Sequence, residues 1–290
     1  MRLPRAFCSE VSAENAEPLA ATASRVDHWI LVEYKGLWGH DALAGSGLSD
    51  QVKRHLREQA SARRSTKLLF VRRTERRGRP GVAVRWGDSP ESGGTFYRAE
   101  LDGYEDLLDL DLTAPGAPLG HPLLLVCTHG KHDRCCARYG RPLYQALAEQ
   151  AEEDWVWQSS HLGGDRFAGN MVFLPEGLYF GRVGPGEVWP LLDEYLANRI
   201  LLDNYRGRAC YAFRVQAAER AVREATGLRG IGDLELVQRE GDLVAFRAGG
   251  RLYDVQVTPE EGALTHLTCS SETLRHPRHY AARILHESGA

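Results

Sequence analysis

The chain lacks the marks of several large protein classes. No apolar run in its 290 residues approaches the ~20 that span a bilayer. Met1 to Glu10 carry two arginines but not the apolar stretch of a secretory leader. There is no basic excess: a formal net charge of −3 argues against non-specific nucleic-acid binding, which needs a surplus of Lys and Arg. No Cys-x-x-Cys occurs, so the usual dithiol redox motif is missing. Nor does any motif identify the two opposed carboxylates of a glycoside hydrolase. What is left is an ordinary soluble composition, 43% hydrophobic and 26% charged. The expected location is the cytoplasm, with no nucleic-acid or membrane partner. The length suits one large domain or two to three small ones.

What the chain has is a concentration of soft ligands. Three of its six cysteines, Cys127, Cys135 and Cys136, fall in ten consecutive positions, with His129 and His132 between them. In a reducing compartment such a cluster points to metal or redox chemistry rather than to disulfides. Leu123 to Val126 leads in as a strand, and a helix from Pro142 to about Glu149 leads out. The second ligand loop is His161-Leu162-Gly163-Gly164-Asp165. Cys8, Cys210 and Cys269 stand alone and read as buried or incidental thiols. His129 and His132 read as solvated loop residues, and Arg72 to Arg79 as a solvated face.

Taken in order, residues 1–26 form an arm. His28 to Tyr34 reads as a buried strand, followed by a glycine-rich loop and a helix capped at Ser49-Asp50. Lys67 to Arg72, Val82 to Trp86 and Thr95 to Leu101 read as strands, and Tyr104 to Leu110 as a short closing helix. The second half repeats the order: strand 123–126, helix, strand Trp155 to Trp157, the hairpin Met171–Leu174 with Leu178–Val183, and helix Val188 to Leu196. Strand, loop, helix, strand, hairpin, helix is the order of a thioredoxin-like unit. Thr113 to Pro122 reads as a linker. After residue 200 come a helix, Ala212 to Thr226, a meander over 234–257, a strand at His266 to Ser270 and a short helix at His276 to His286. The expected fold is therefore α/β: a thioredoxin-like repeat over 1–111, a second over 120–200, and a small α+β appendage over 205–290.

Iron in iron–sulfur clusters prefers thiolate, and imidazole can replace two thiolates on one iron. Two ligand loops on one scaffold meet that demand. Cys127 with either Cys135 or Cys136 would serve one iron, and His161 with its partner four residues on would serve the other. Gly163 and Gly164 let the backbone turn tightly between that second pair, with N–H groups that could reach sulfur.

Cys127-Thr128-His129-Gly130, Asp133-Arg134-Cys135-Cys136, His161 to Ala168, and Leu178-Tyr179-Phe180-Gly181-Arg182-Val183 resemble the sucrase/ferredoxin-like family, most strongly over 120–200. The resemblance implies a thioredoxin-like ferredoxin with a 2Fe-2S cluster on two cysteines and two histidines. It would be an electron carrier serving an unidentified protein redox partner, rather than a catalyst. Carried over by position, the metal ligands are Cys127, Cys136 and His161, with Cys135 as the alternative second thiolate and Gly163, Gly164 and Arg166 beside the cofactor. The sequence departs from the family at Asp165, where its bis-histidine form has His. A carboxylate is a hard ligand, poorly matched to an iron–sulfur centre. Either Asp165 ligates all the same; or Cys135, His129 or His132 supplies the fourth ligand; or no cluster forms. Outside the electron carriers stand a dithiol oxidoreductase and a zinc-binding or cluster-free structural module on the same fold.

Overall fold

The structure is a computed structural model that describes residues 6–152 and 154–289; the first five residues of the expected arm lie outside it. The arm carries a short helix, α1 (Cys8–Glu14). The first unit follows as β1 (His28–Glu33), α2 (Asp50–Ser61), β2 (Thr66–Arg72), β3 (Val82–Asp88), β4 (Phe96–Leu101) and a two-residue β5 (Ala117–Pro118). The second is β6 (Leu123–Cys127), α3 (Arg134–Ala148), β7 (Val156–Ser159), β8 (Met171–Leu174), β9 (Leu178–Phe180) and α4 (Val188–Leu196). Then come β10 (Tyr205–Arg208), α5 (Phe213–Thr226), β11 (Leu234–Glu240), β12 (Leu243–Ala248), β13 (Arg251–Glu261) and β14 (Arg278–Gly289).

Ten strands form one sheet in the order β10-β9-β8-β6-β7-β2-β1-β3-β4-β5. The order β2-β1-β3-β4 recurs as β7-β6-β8-β9. In each set the first two strands are parallel and the rest antiparallel. This is a thioredoxin-like order, twice. The two sets are not separate sheets. They join where β2 meets β7 antiparallel, through Val71 opposite Ser159 and Arg72 opposite Gln158. The overlap involves only the carboxyl ends of both strands, so the carboxyl ends of both parallel pairs meet near this seam.

Burial follows the strand pattern. All six residues of β1 and all five of β6 are buried, as continuous apolar runs in parallel pairs require. Ile30 and Val32 pack with Val52 and Leu56 of α2. Leu124 and Val126 pack with Leu143 and Leu147 of α3. The alternate residues Trp29, Leu31, Leu123, Leu125 and Cys127 share one cluster drawn from both units.

Several expectations need correcting. Helix α3 starts at Arg134, eight residues before Pro142, because Asp133 caps it by accepting the Cys135 N–H at 2.8 Å. Pro142 is therefore interior, and Cys135 and Cys136 lie in the first helical turn rather than in the loop. The linker at 113–122 adds β5 to the edge of β4. Strand β10 pairs with β9, so the C-terminal layer begins at α5, not at residue 205. No strand forms at 266–270; Thr265 and Arg275 make an isolated bridge there. Most of the segment expected as a helix at 276–286, from Arg278 on, is instead part of β14. It pairs with the eleven-residue β13 and turns Tyr280, Ala282 and Ile284 toward α5. An available strand edge outweighs the helix preference of its Ala-Ala-Arg run. α5 lies across the four-stranded sheet β11-β12-β13-β14.

Glu17 ties the arm to the rest. Its side chain is 4% exposed and accepts from Ser12 Oγ at 2.7 Å and Arg166 Nε at 2.7 Å, with His279 Nε2 of β14 at 3.2 Å. Burial alone would raise its pKa; the Arg166 charge and these contacts outweigh burial and hold it below the usual value. A depressed carboxylate pKa stabilises the fold at pH above the unfolded-state value, and that stabilisation is lost as pH falls through the folded-state value. We therefore expect Glu17→Gln to lower stability at neutral pH by about 2–3 kcal/mol, less than outright loss of a buried partner. The gap to wild type should close below about pH 4. Urea unfolding of both chains across pH measures it, and a gap that stays constant with pH would count against this account.

Candidate metal centre

Because β6 and β7 are parallel neighbours, the loops leaving their carboxyl ends emerge side by side, the usual place for a ligand in a parallel sheet. Cys127 is the last residue of β6. His161 lies two residues past β7. The cap at Asp133 turns the cysteine loop into α3 and brings Cys136 back toward Cys127. This return needs a close approach: a Cβ on Gly140 would sit 1.9 Å from the Cys127 carbonyl oxygen, so only glycine lets α3 lie this near the end of β6.

The second loop is held from outside. Gly163 and Gly164 have φ of +107° and +81°, and Asp165 to Phe167 then form a single helical turn. Arg206 of β10 donates to the Gly163 carbonyl at 3.0 Å and to Asn170 Oδ1 at 2.8 Å, and Asn170 Nδ2 donates to the Gly164 carbonyl at 2.8 Å. Arg206 is 1% exposed. Nothing in the local pattern of Tyr205 to Arg208 marks it for this role; its partners are 36 and 43 residues away.

One donor atom each from Cys127, Cys136 and His161 lie within 4.8 Å of one another. His161 Nδ1 is 3.0 Å from Asp165 Oδ1, and Cys136 Sγ is 3.3 Å from the same oxygen. So the structure brings together all four residues first chosen as ligands. Gly163 and Gly164 shape the loop. Arg166 does not face this group; its guanidinium is committed to Glu17. Cys135 is turned away, into a separate cluster with Cys8 and Cys269. Successive helical residues point about 100° apart, so Cys135 and Cys136 cannot both face Cys127. The standalone reading of Cys8 and Cys269 is thereby corrected; Cys210 remains apart from both groups.

The loop histidines are not solvated as expected. His129 is 2% exposed and its Nε2 donates to the Gly39 carbonyl at 2.6 Å. His132 stacks on His161 with ring centroids 3.8 Å apart, and its Nε2 is 3.9 Å from Asp165 Oδ2. It also lies 5.0 Å from the exposed His40 ring. The glycine-rich loop after β1 thus roofs the cysteine loop of the other unit.

The charges are mutually adjusted. The Cys136 thiol is the main group holding the Cys127 pKa well down, against burial, with His161 and the Leu162 N–H assisting. The Cys136 pKa is pushed well up by Cys127 and by burial. Burial works against a charged His161, but Asp165 and Cys127 raise its pKa to about 9. Burial alone would raise the Asp165 pKa, yet His161 brings it below the usual carboxylate value. The resulting state is a Cys127 thiolate, a Cys136 thiol, an imidazolium and a carboxylate. Desolvation holds the Lys67 ammonium down to about 8, with the Cys127 charge pulling the other way. The arrangement is a compact set of donors of which the Cys127 thiolate and the Asp165 carboxylate are already ionised; a metal would have to displace the protons on Cys136 and His161.

The description sucrase/ferredoxin-like matches residues 19–207, well over half of the chain. The chain belongs to the sucrase/ferredoxin-like family. Similar relatives include Altered inheritance of mitochondria protein 32 of Meyerozyma guilliermondii, 34% identical over 95 residues, covering 29% of this chain and 34% of that protein. The protein of the same name from Eremothecium gossypii is 32% identical over 106 residues, covering 32% of this chain and 34% of its own. The chain spans about a third of the length of the curated relatives it matches. Among solved structures, the thioredoxin-like 2Fe-2S ferredoxin from Aquifex aeolicus is similar at 18% identity, with a TM-score of 0.27 over 30% of this chain and 91% of that one. For this member of the sucrase/ferredoxin-like family, the mixed α/β thioredoxin-like fold rests on the strand order and the family match.

Gly140→Ala tests how the centre is built. The added methyl meets a backbone carbonyl that cannot swing aside, so α3 must lift from β6. We expect a loss of about 3 kcal/mol and weaker metal binding, read by thermal unfolding and metal titration. Gly103→Ala, with open space around its Cβ position, should change neither.

Proposed function

We propose that this protein is an electron carrier of the thioredoxin-like ferredoxin type, with a 2Fe-2S cluster on Cys127, Cys136, His161 and Asp165. The observation that carries the reading is the convergence of Cys127, Cys136 and His161 from two neighbouring loops to within 4.8 Å. Two thiolates and an imidazole suit the cluster; the carboxylate is the weak member of the set. Bound there, the cluster would take up and release single electrons. The chain's own part is to exclude water with the roof over His129, to hold Cys127 ionised, and to lead from His161 through the His132 ring toward the surface at His40. An acidic protein would be a suitable redox partner for the exposed Arg77 and Arg79. The rest of the expected solvated face is not solvated, since Arg73 is 4% exposed, Arg76 is paired with Glu33 and Glu100, and Arg72 lies over Trp38. The cytoplasmic location is supported by six cysteines that are all unpaired. Among the described residues no helix is long and apolar enough to cross a membrane.

A second reading has one observation in its favour. Donors on different irons of a cluster lie further apart than donors on one ion, by up to two metal–ligand bonds plus the iron–iron distance. The present set, all within 4.8 Å, would therefore have to open to admit a cluster but not a single ion. Cys2His with a carboxylate also suits one zinc ion.

Anaerobic purification with iron, acid-labile sulfide and zinc counted per chain separates the two. We expect iron and sulfide in equal amounts and a brown-red colour. Cys127→Ala, Cys136→Ala and His161→Ala should abolish them, while Cys135→Ala should leave them in place. A colourless chain holding zinc at the same residues would establish the second reading instead.

The fourth ligand is tested separately. An anionic carboxylate favours ferric iron relative to a neutral imidazole, so Asp165→His should raise the reduction potential and slow bleaching in acid. Asp165→Ala should cut cluster content. If it does not, while His132→Ala does, the stacked histidine is the ligand.

A further inference from the structure

The centre described above leaves three buried cysteines unused. Cys8 opens α1, Cys135 lies in the first turn of α3, and Cys269 lies between β13 and β14. Their sulfurs form a triangle: Cys8 to Cys135 3.5 Å, Cys135 to Cys269 3.3 Å, and Cys269 to Cys8 3.7 Å. All three are free and no more than 8% exposed. Asp133, 2% exposed, closes the group with Oδ2 3.9 Å from Cys8 Sγ. The carboxylate is aimed by two backbone donors, Cys135 N–H to Oδ1 at 2.8 Å and Cys269 N–H to Oδ2 at 2.7 Å. All four donor atoms lie within 4.8 Å of one another. Neither Cys8 nor Cys269 falls within the residues matched to the family.

Three uses of such a triangle compete. As apolar filler, three cysteines would leave Asp133 with its cap on α3 and its bond from Cys269 N–H, but no reason for three sulfurs to converge beside its carboxylate. As a disulfide, two would bond and the third would be left over. As ligands, all four groups are employed. A Zn–S bond near 2.3 Å in a tetrahedron places sulfurs about 3.8 Å apart, and the observed edges sit just inside that. The same edges are too short for thiolates on different irons of a cluster, so the triangle suits a single ion. Soft thiolates select zinc, iron or copper(I) over magnesium or calcium. Binding requires the thiols to shed their protons to solvent, leaving three thiolates and the carboxylate around the ion.

We propose that Cys8, Cys135 and Cys269, with Asp133 as fourth donor, form a second metal site that takes one zinc ion and pins α1 and the segment between β13 and β14 to the start of α3. The two sites are then back to back, divided at the Cys135–Cys136 peptide.

The test uses the full chain and zinc alone. A variant lacking the first centre, Cys127→Ala with Cys136→Ala and His161→Ala, should still bind one zinc per chain, and adding Cys8→Ser or Cys269→Ser should abolish that binding. In the otherwise unaltered chain, Cys8→Ser should leave iron and sulfide content unchanged, so failure of one site is distinguishable from failure of the other. Alkylation mapped by mass spectrometry covers the case of a poorly folding variant: in the zinc-loaded wild-type chain all three cysteines should be protected, and a chelator should speed modification of each by an order of magnitude or more. Zinc binding unaffected by Cys8→Ser and Cys269→Ser, alkylation equal with and without chelator, or a disulfide between any two of the three in anaerobically isolated protein would each overturn the proposal.

Discussion

The whole candidate centre depends on the parallel pairing of β6 with β7. A parallel pair cannot be joined by a short turn, so the chain must cross over through α3 and return. That crossover starts at the end of one strand and finishes at the beginning of the next, leaving two loops at the same edge of the sheet. One bears Cys127 and, through the capped first turn of α3, Cys136. The other bears His161. Everything further, from the Gly140 contact to the Arg206 clamp, adjusts distances within an arrangement that pairing has already made.

Ionisation in the centre is shared rather than owned by single groups. Cys127 carries charge because Cys136 keeps its proton and His161 gains one. Asp165 stabilises the imidazolium and is itself stabilised by it. The carboxylate therefore has an electrostatic role whether or not it touches a metal. This accounts for how a hard ligand can stand at that position without leaving an unpaired buried charge.

The fold was legible where signals are local. Apolar runs marked β1 and β6, Ser49 marked the start of α2, and the repeated element order announced two units of one kind. Ligand spacing singled out Cys127, His161 and one of Cys135 and Cys136, and the family resemblance put Cys136 first. Other features are set by contacts with no local trace. Cys8 and Cys269 are 261 residues apart, and each looks incidental until the chain is folded. His129 sits among polar loop residues, and only the roof from the other unit buries it. The start of α3 was hidden because its first turn is rich in cysteine, a poor helix former, and because Pro142 suggests a later beginning. In β14, Ala281-Ala282-Arg283 favours a helix until β13 offers its edge.

The seam between β2 and β7 is only two residue pairs long, and it brings the two halves of the chain into a division of labour. One half supplies the clustered cysteines and histidine. The other, built on the same strand order but without cysteines in the corresponding loop, contributes Trp38, Gly39 and His40 as a cover. A substitution at the tip of that cover can alter solvent access to the cysteine and histidine cluster, and with it the charge state of the buried groups, without touching any of them. In a protein assembled from two like halves, the half without the chemistry can thus set the conditions under which the other half performs it.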